Sequence, residues 1–591
     1  YVGVQWTARY QFSHILVQTY LYHRLSAGER RLMHRQVAEA LMRLYDGQTD
    51  QIAVQLAHHF SRAGDNEQAF TYGVLAARNA DRAYARETAI AQYSQAIDLA
   101  QRVTLNSAEL AALHRERGSV HEALGQFDKA RADFETCLWL GQRAEAPRVT
   151  WRALLDLAGL WTTRDYGRSR VLLDQVLELA GGIDDPELLG DSMNWVGNWW
   201  LNAEDPATAI EHHRQALAIF ERLGDPVAIA HTLDDLAIAH MIGGDPTTAI
   251  GYYDQSIELF RSLGDHAALT SSLTGRGLAR GGAFMSCTQL FPEGRDAARG
   301  DLDEALQIAR ATNSPAAEAW ALWALSLLAA GYGEFGEALD AVRSALSVAT
   351  EIGHGEWIVA SRSILGTLYA ELFASELARE ELEQALALAA ELRSKHWIHH
   401  ATAGLALTCC QDVILVSTAQ RANHEKLAMA ESCLEHVLSP QAPMNTIHRR
   451  TCWARQAELA LSQGNPSLAL NIVERLVASI PGAAPGSMNP FLWQLKAAAL
   501  DALGHSDEAH ALLHTALATA QAVGARFLLW RIHAGLGHLC RKLGRASEAD
   551  VHFGLARDAV QELADSVTDQ DLHDRFVERA YRFLTTTPTS A

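Results

Sequence analysis

Several features are scarce in this chain of 591 residues, and each scarcity excludes a class of protein. Its seven cysteines are scattered, with no Cys-x-x-Cys pair and an odd count, which argues against a disulfide framework and a zinc ribbon. No apolar run reaches membrane-spanning length, and the opening YVGVQWTARYQF lacks the regions of a signal peptide. Strand-like alternation of apolar and polar residues is nearly absent. We therefore expect an all-α protein of the reducing cytoplasm, without a membrane partner.

Positive charge is also in short supply. The chain has 50 Lys and Arg against 70 Asp and Glu, a formal net charge of −20. This balance repels phosphate backbones, so we expect no direct contact of this segment with nucleic acid. Solubility is the simplest interpretation of the excess of acidic residues, and attraction of a basic ligand is the alternative.

The signatures of common catalytic sites are missing as well. A P-loop needs G-x-x-x-x-G-K-[ST], and no Gly-Lys-Ser or Gly-Lys-Thr occurs. The stretch from Gly275 to Gly281 departs from a dinucleotide fingerprint because its third glycine comes one place late and no strand precedes it. No G-x-S-x-G elbow follows a strand. We therefore predict no catalytic residue, no cofactor and no enzyme, with an enzyme assembled from distant repeats as the remote alternative.

Histidine, in contrast, is plentiful at 26 residues. His396, His399 and His400 would share one face of a helix and could accept a metal ion. However, HExxH is missing, and no Cys or carboxylate completes an evident set. We therefore predict that these histidines lie on a wet helix surface and that the chain has no metal site.

A step of twelve residues recurs along the chain, from a small residue to an alanine that opens a second amphipathic run. It returns about every forty residues, which is typical of stacked helix pairs. Its clearest instances are Gly118 and Ala130, Gly197 and Ala209, Ala237 and Ala249, Gly366 and Ala378, and Gly537 and Ala549. The pattern predicts a right-handed α-solenoid, and hence a surface for binding in place of a pocket for chemistry.

Turn residues mark the joints between the predicted helices. Gly suits the left-handed position that ends one helix, Asp, Asn or Ser can cap the next, and Pro fits its first turn. Such joints begin at Gly64, Gly224, Gly244, Gly264, Gly464 and Gly504. Longer segments break the rhythm at 281–300, 411–424, 440–446 and 480–490. The first two lengthen their repeat units, and the last two are typical of longer Pro-rich loops. For the first, plain variation in loop length and a binding role are the two interpretations.

Residues 50 to 560 resemble tetratricopeptide repeats of the longer, forty-residue kind. The resemblance is carried by three sets: Met193, Val196, Gly197, Trp200, Ala209 and Ala216; Leu233, Leu236, Ala237, Ala249, Tyr253 and Ser256; and His533, Leu536, Gly537, Ala549 and Phe553. We expect paired helices to cross closely at Gly197 and Ala209, where a larger side chain would force them apart. The resemblance implies about eleven or twelve units when degenerate ones are counted.

The first hundred residues resemble the segment that links an ATPase module to its repeats in bacterial signal-transducing (STAND-type) ATPases. Phe12, His14, Leu16 and Tyr20 carry this resemblance. Members of that group include large transcriptional activators and class III adenylate cyclases with a fused ATPase. The resemblance implies that a nucleotide-binding module precedes Tyr1, which is not a methionine.

The same stretch also has an interpretation from its residues alone. We expect a helix from about Ser13 to Arg24, and then a capping box that starts at Ser26. The next helix would carry its apolar residues on one face, namely Leu32, Val37, Ala40, Leu41 and Leu44. As domains we predict a helical linker over 1–60, a repeat superhelix over 61–565, and a terminal helix with a frayed polar tail over 566–591.

The first helix of each stacked pair lines the concave side, and this register predicts the binding residues. The candidates are Asp191, Asn194, Asn198, Trp199, His231, Asp234, Trp320 and Trp323. Amides and indoles side by side would grip an extended peptide, whereas tryptophans packed between helices are the alternative.

We therefore expect a sensor or scaffold region of a larger signalling ATPase or transcriptional regulator. Its partner would be a protein or peptide, with a small-molecule effector and self-association as further options. A free-standing scaffold without an ATPase is the alternative function.

Overall fold

A computed structural model describes residues 15–162, 164–281, 284, 294–415, 420–481 and 489–585. The chain divides into two compact units, Tyr1–Leu160 and Trp161–Ala591. Within the described residues both units consist of helices without strands, so the all-α prediction is confirmed.

The first unit is a run of short antiparallel helices. A 3₁₀ turn at Thr49–Ile52 follows the second helix, and the eighth helix crosses the boundary between the units. The helices are α1 Ile15–Arg24, α2 Ala27–Leu44, α3 Ala53–Ala63, α4 Asn66–Arg82, α5 Arg86–Ala100, α6 Ser107–Ala123, α7 Phe127–Arg143 and α8 Pro147–Thr162.

The second unit continues the same hairpin arrangement, with each helix packed on its neighbours in the chain. Its earlier helices are α9 Tyr166–Gly181, α10 Pro186–Asn202, α11 Pro206–Leu223, α12 Pro226–Gly243, α13 Pro246–Leu263, α14 His266–Gly281, α15 Arg295–Ala311, α16 Pro315–Gly331, α17 Phe335–Glu351 and α18 Gly355–Glu371. Its later helices are α19 Ser375–Leu392, α20 Lys395–Leu415, α21 Gln420–Glu435, α22 Ile447–Ser462, α23 Pro466–Ala478, α24 Pro490–Ala502, α25 Ser506–Val523, α26 Arg526–Lys542, α27 Ala546–Asp565 and α28 Gln570–Thr585.

The step from small residue to alanine marks the crossing point of each hairpin, as predicted. A Cβ added to Gly118 would lie 2.6 Å from the ring of Phe134, and one added to Gly537 would lie 2.8 Å from Phe553. The alanines that open the second helices are fully buried, Ala130 and Ala549 among them. Small residues are needed at these glycines because an aromatic ring of the partner helix already fills the space that a side chain would take.

The predicted turn chemistry is also present. Gly64, Gly224, Gly244 and Gly264 adopt left-handed conformations that end a helix. Side chains of the following residues, such as Asp225, accept hydrogen bonds from the first turn of the next helix. The capping box at Ser26 and Glu29 is formed in both directions.

Hairpin turns of the second unit contact helices far along the chain. Tyr166 donates a hydrogen bond to Glu356, and Arg450 donates to the carbonyl of Gly243. Arg531 pairs with the carboxylate of Glu371, 160 residues away in sequence. The stack therefore packs back on itself within this unit, and buried side chains from distant repeats meet. This packing was not predicted from the sequence.

The apolar face predicted for α2 is wrong in part: Leu41 packs on the hydrophobic cluster of α3 and Leu44 is half-buried, but the other three residues are exposed. Leu32 and Val37 of α2 lie in solvent, with Leu32 57% exposed, and Ala40 is exposed as well. The helix instead packs through Ala38 and its neighbours on the other side, against Leu56 of α3.

Some predictions concern residues outside the described ranges. They include the motif at Phe12 and His14, most of segment 281–300, the centre of 411–424, most of 480–490, and the polar tail after residue 585. Among the described helices, none has the length and apolarity needed to cross a bilayer.

Candidate functional site

A row of polar side chains runs along the first helices of three successive hairpins, α10, α12 and α14. Asn194 donates to the hydroxyl of Thr232 at 2.7 Å, and Asn198 donates to a carboxylate oxygen of Asp235 at 3.0 Å. One hairpin on, Ser271 and Ser272 donate to the two oxygens of Asp234 at 2.9 and 2.6 Å. Each pair joins positions 37 or 38 residues apart, so the row follows the repeat itself.

The carboxylates of this row are held in an unfavourable environment. Burial, together with the neighbouring Asp234, raises the pKa of Asp235 to about 8, and Asp191 adds to the effect. Burial also raises the pKa of Asp234 to about 6, although the hydrogen bonds from the two serines lower it in part. Such carboxylates gain stability from any positive charge that arrives beside them.

A buried hydroxyl belongs to the same region. Tyr253 of α13 is fully buried, and burial and the nearby Asp234 and Asp235 raise its pKa well above the usual value. Its oxygen has no hydrogen-bond partner among the described residues. The polar row thus retains hydrogen-bonding capacity that the helices themselves do not use.

The structure divides the eight predicted groove residues into two groups. Asn194, Asp234 and Trp323 are buried, and each bonds a neighbouring helix, so their assignment to direct partner contact is corrected. All three lie on first helices of hairpins, where a neighbouring helix covers them. The accessible ones are Asp191, Asn198, Trp199, His231 and Trp320, and their role in binding stays a prediction.

The accessible tryptophans also pack in part against neighbouring helices. The indole of Trp199 donates to the carbonyl of Tyr166 and lies under the guanidinium of Arg170. Trp320 stacks on Trp357 with ring centroids 5.5 Å apart. Each ring is half-buried, so one part supports the fold while the rest faces solvent.

An apolar pocket between later helices was not predicted. Its volume is about 190 Å³. Phe373, Leu407, Trp530 and Phe583 form part of its wall, and Gln494 brings a buried amide oxygen that has no partner in the structure. No sequence pattern predicts this pocket, because its lining residues come from hairpins that meet only through the packing of distant repeats.

Among the described residues, two groups of side chains could hold a metal ion, the second made of two sets that share Glu548. The first group is Glu204, His396 and His448. His396 and the neighbouring His399 are buried, which overturns the predicted wet surface, and Glu204 supplies the carboxylate that was not evident from the surrounding sequence. Burial lowers the pKa of His396 to about 4, so its imidazole is neutral. The second group, more open to solvent, gathers His510, His514, Cys540, Glu548 and His552 on α25 to α27.

The sequence matches one family model, described as tetratricopeptide repeat, over residues 188–262. This range covers α10 to α13 and the first part of the polar row. A search of curated proteins finds no match to the chain.

Solved structures provide further similarities. A Rap protein complexed with competence and sporulation factor shares 13% identity, with a TM-score of 0.41 over 70% of this chain and 97% of that one. A STAND protein with a tetratricopeptide repeat sensor from Pyrococcus horikoshii shares 15%, with a TM-score of 0.38 over 65% of this chain and 54% of that one. The APC/C hetero-tetramer Cut9-Hcn1 shares 13%, with a TM-score of 0.41 over 96% and 99%. The described residues are all-α, and residues 188–262 match the tetratricopeptide repeat.

Proposed function

We propose that this chain is a recognition region that binds an extended protein segment or peptide with a cationic group. The observation that carries the proposal is the Asn198–Asp235 pair, beside the further carboxylates of Asp191 and Asp234. A lysine, arginine or terminal ammonium would stabilise these charges, and the Asn198 amide can exchange its internal partner for a peptide group.

The surface around the pair suits an extended partner. Stacked hairpins present equivalent positions at regular intervals, so one peptide can contact several first helices in turn. Trp199 lies on the same helix as Asn198, and its exposed part can cover an apolar side chain of the ligand. The net charge of −20 favours approach of a basic segment.

The apolar pocket supports a second candidate function, binding of a small-molecule effector. Its volume of about 190 Å³ suits a modest apolar group, and Gln494 and Glu458 supply polar atoms at its wall. An effector there would contact helices of several hairpins at once and so would alter their packing.

We further propose that the region serves as the sensor of a larger signalling ATPase or transcriptional regulator. The exposed apolar residues of α2, among them Leu32, Met33 and Val37, provide a face on which another module could pack. A binding event in the repeats would then bias that module between two states. A scaffold without an ATPase remains the alternative, and the two differ in whether nucleotide hydrolysis by the full-length protein responds to deletion of residues 100 to 591.

A peptide array tests whether the chain binds basic peptides. The purified chain is probed against random peptides with and without Lys and Arg, and selected peptides are titrated by calorimetry. We expect selection of basic peptides, and about tenfold weaker binding, or 1.4 kcal/mol, for Asp235→Asn. Gln215→Ala, on the exposed face of α11, is the matched control and should bind as the unmodified chain does. Selection of neutral or acidic peptides, or equal binding by Asp235→Asn, would contradict the proposal.

A further inference from the structure

Glu204 occupies an unusual place in the turn between α10 and α11. Its φ is 64°, a left-handed conformation that glycine adopts in the corresponding turns at Gly244, Gly464 and Gly544. A side chain in this conformation costs free energy, and burial of its carboxylate costs more. Yet Glu204 is only 1% exposed, and it extends toward α20 and α22.

One carboxylate oxygen of Glu204 is well supplied with partners. Thr446 donates its hydroxyl to Oε2 at 2.7 Å, and Arg449 Nε lies 3.3 Å from the same atom. His399 Nδ1 lies 3.1 Å away from it. These contacts fix the orientation of the carboxylate, so the position of its other oxygen is fixed as well.

The other oxygen, Oε1, faces two imidazoles without bonding either. His396 Nδ1 lies 3.8 Å away and His448 Nδ1 lies 3.9 Å away, both beyond hydrogen-bond distance. Among the described residues, none provides a hydrogen bond to any of these three atoms or to His448 Nε2. His448 is 1% exposed, and buried polar atoms left without a partner destabilise the fold.

We propose that Glu204 Oε1, His396 Nδ1 and His448 Nδ1 form a buried site for a divalent metal ion of the zinc class. Neutral imidazoles and a carboxylate are ligands that Zn²⁺ accepts, at bond lengths of about 2.0–2.2 Å. Tetrahedral bonds of this length separate the ligand atoms by about 3.3 Å. The two distances from Oε1 to the imidazole nitrogens exceed this by about 0.5 Å, and the three residues offer ligand atoms that all lie within 4.8 Å of one another.

The surroundings of the site resemble those of a closed metal centre. Thr446 and Arg449 hold the carboxylate from its far oxygen, which is how outer partners orient a metal ligand. A cavity of about 40 Å³, lined by His400 and His448 among others, borders the His448 side of the group and has room for a water molecule. Burial of Glu204 and His448 makes this a structural site, with little access for a substrate.

The consequence concerns the packing of distant repeats. The three ligands come from the α10–α11 turn, from α20 and from α22, so a bound ion would link this turn to two helices whose ligands lie 192 and 244 residues further along the chain. Helix α10 also carries Asn198 of the polar row. Metal occupancy would therefore stabilise the helix that presents this row, whether or not a peptide binds there.

Cobalt titration of the full chain tests the site. The protein is stripped with a chelator, and Co²⁺ is added while the visible spectrum is recorded and bound metal is counted by elemental analysis. We expect one tight ion with an intense tetrahedral spectrum, displaced by Zn²⁺. Glu204→Gln and His396→Gln should each weaken binding by more than 100-fold, because each removes a direct ligand. His514→Ala, in the more exposed group on α25 to α27, is the matched control and should retain the tight ion and its spectrum.

A milder variant separates loss of metal binding from loss of the fold. Thr446→Val keeps all three ligands but removes an outer hydrogen bond, and should weaken Co²⁺ binding by about 10-fold. Zn²⁺ should also raise the melting temperature of the unmodified chain, and not that of a ligand variant with native circular dichroism. The proposal is overturned if the stripped chain binds no Co²⁺ tightly, if His514→Ala removes the tight ion, or if every folded variant at Glu204, His396 and Thr446 binds as before.

Discussion

The imidazole of His213 lies directly against Gly197, where an added Cβ would be 2.5 Å from the ring. His213 follows Gly197 by sixteen residues, the same offset that separates Gly118 from Phe134. In other hairpins an aromatic ring therefore fills the place that His213 takes here. Its Nδ1 lies 3.1 Å from Asn194 Oδ1, so this crossing point is tied to the polar row.

Substitution of Gly197 tests the crossing. Gly197→Ala should lower the free energy of unfolding by about 1–3 kcal/mol, because the methyl group overlaps the His213 ring. Gly251→Ala is the matched control, since nothing lies within 4 Å of its Cβ position in α13, and alanine should stabilise that helix by about 0.5–1 kcal/mol. Urea denaturation measures both. A Gly197→Ala chain as stable as the Gly251→Ala chain would contradict this geometry.

Acidification should destabilise the α10–α11 hairpin through His213. Burial, with a contribution from His212, lowers its pKa to about 3, whereas the unfolded chain titrates near 6.5. Because the unfolded state binds more protons below pH 6.5, stability falls as the pH drops from 6.5 toward 3, by at most about 1.4 kcal/mol per pH unit.

His213→Phe provides the comparison for this pH effect. Phenylalanine occupies the corresponding position at Phe134, so the ring contact is retained while the titrating group is removed. We expect the melting temperature of this variant to fall less between pH 7 and pH 5 than that of the unmodified chain. Parallel curves for the two proteins would show that His213 is protonated as readily in the folded state.

The pair Glu371 and Arg531 should be among the costly ion pairs to break. Both side chains are largely buried, and their atoms lie 2.7 Å apart between the end of α18 and α26. Glu371→Gln leaves the Arg531 charge unpaired, so we expect a loss of about 3–5 kcal/mol. Glu562→Gln is the control, because its pairing with Arg526 is exposed and should contribute little. Equal melting temperatures for the two variants would refute the role of distant packing.

The fold was predictable where its causes are local. Gly197, Ala209 and the turn at Gly224 lie within one repeat, and their small size or left-handed backbone is dictated by neighbours close in sequence. The polar row could also be placed on the first helices, since the register repeats. Asp235 was not among the predicted residues, although it follows Asp234 directly. Neighbouring residues on a helix point in different directions, so a difference of one residue decides which aspartate the next hairpin covers.

Contacts between distant repeats could not be predicted in this way. Glu204 meets His396 and His448 only because the second unit packs back on itself, and no sequence period encodes that distance. The same packing creates the apolar pocket beside Phe373, another residue with positive φ in a hairpin turn. For the histidine cluster the available signal was Glu204 itself, a non-glycine residue in a turn that takes glycine in the repeats at Gly244, Gly464 and Gly544.

Peptide binding should depend on pH in a defined direction. A cationic ligand requires the ionised form of Asp235, whose pKa is raised to about 8 by burial and by Asp234. Affinity for a basic peptide should therefore rise between pH 6 and pH 8, by up to about tenfold per pH unit, and level off above. Asp235→Asn should flatten the profile. Affinity that falls with rising pH would exclude a carboxylate as the recognition group.

Hydrogen–deuterium exchange with a selected basic peptide tests the central claim most directly, that the first helices of the hairpins carry the ligand. We expect bound peptide to slow exchange in α10, α12 and α14 and to leave α11 and α13 unchanged. Protection confined to the second helices, or no protection in α10 and α12, would contradict recognition by the polar row.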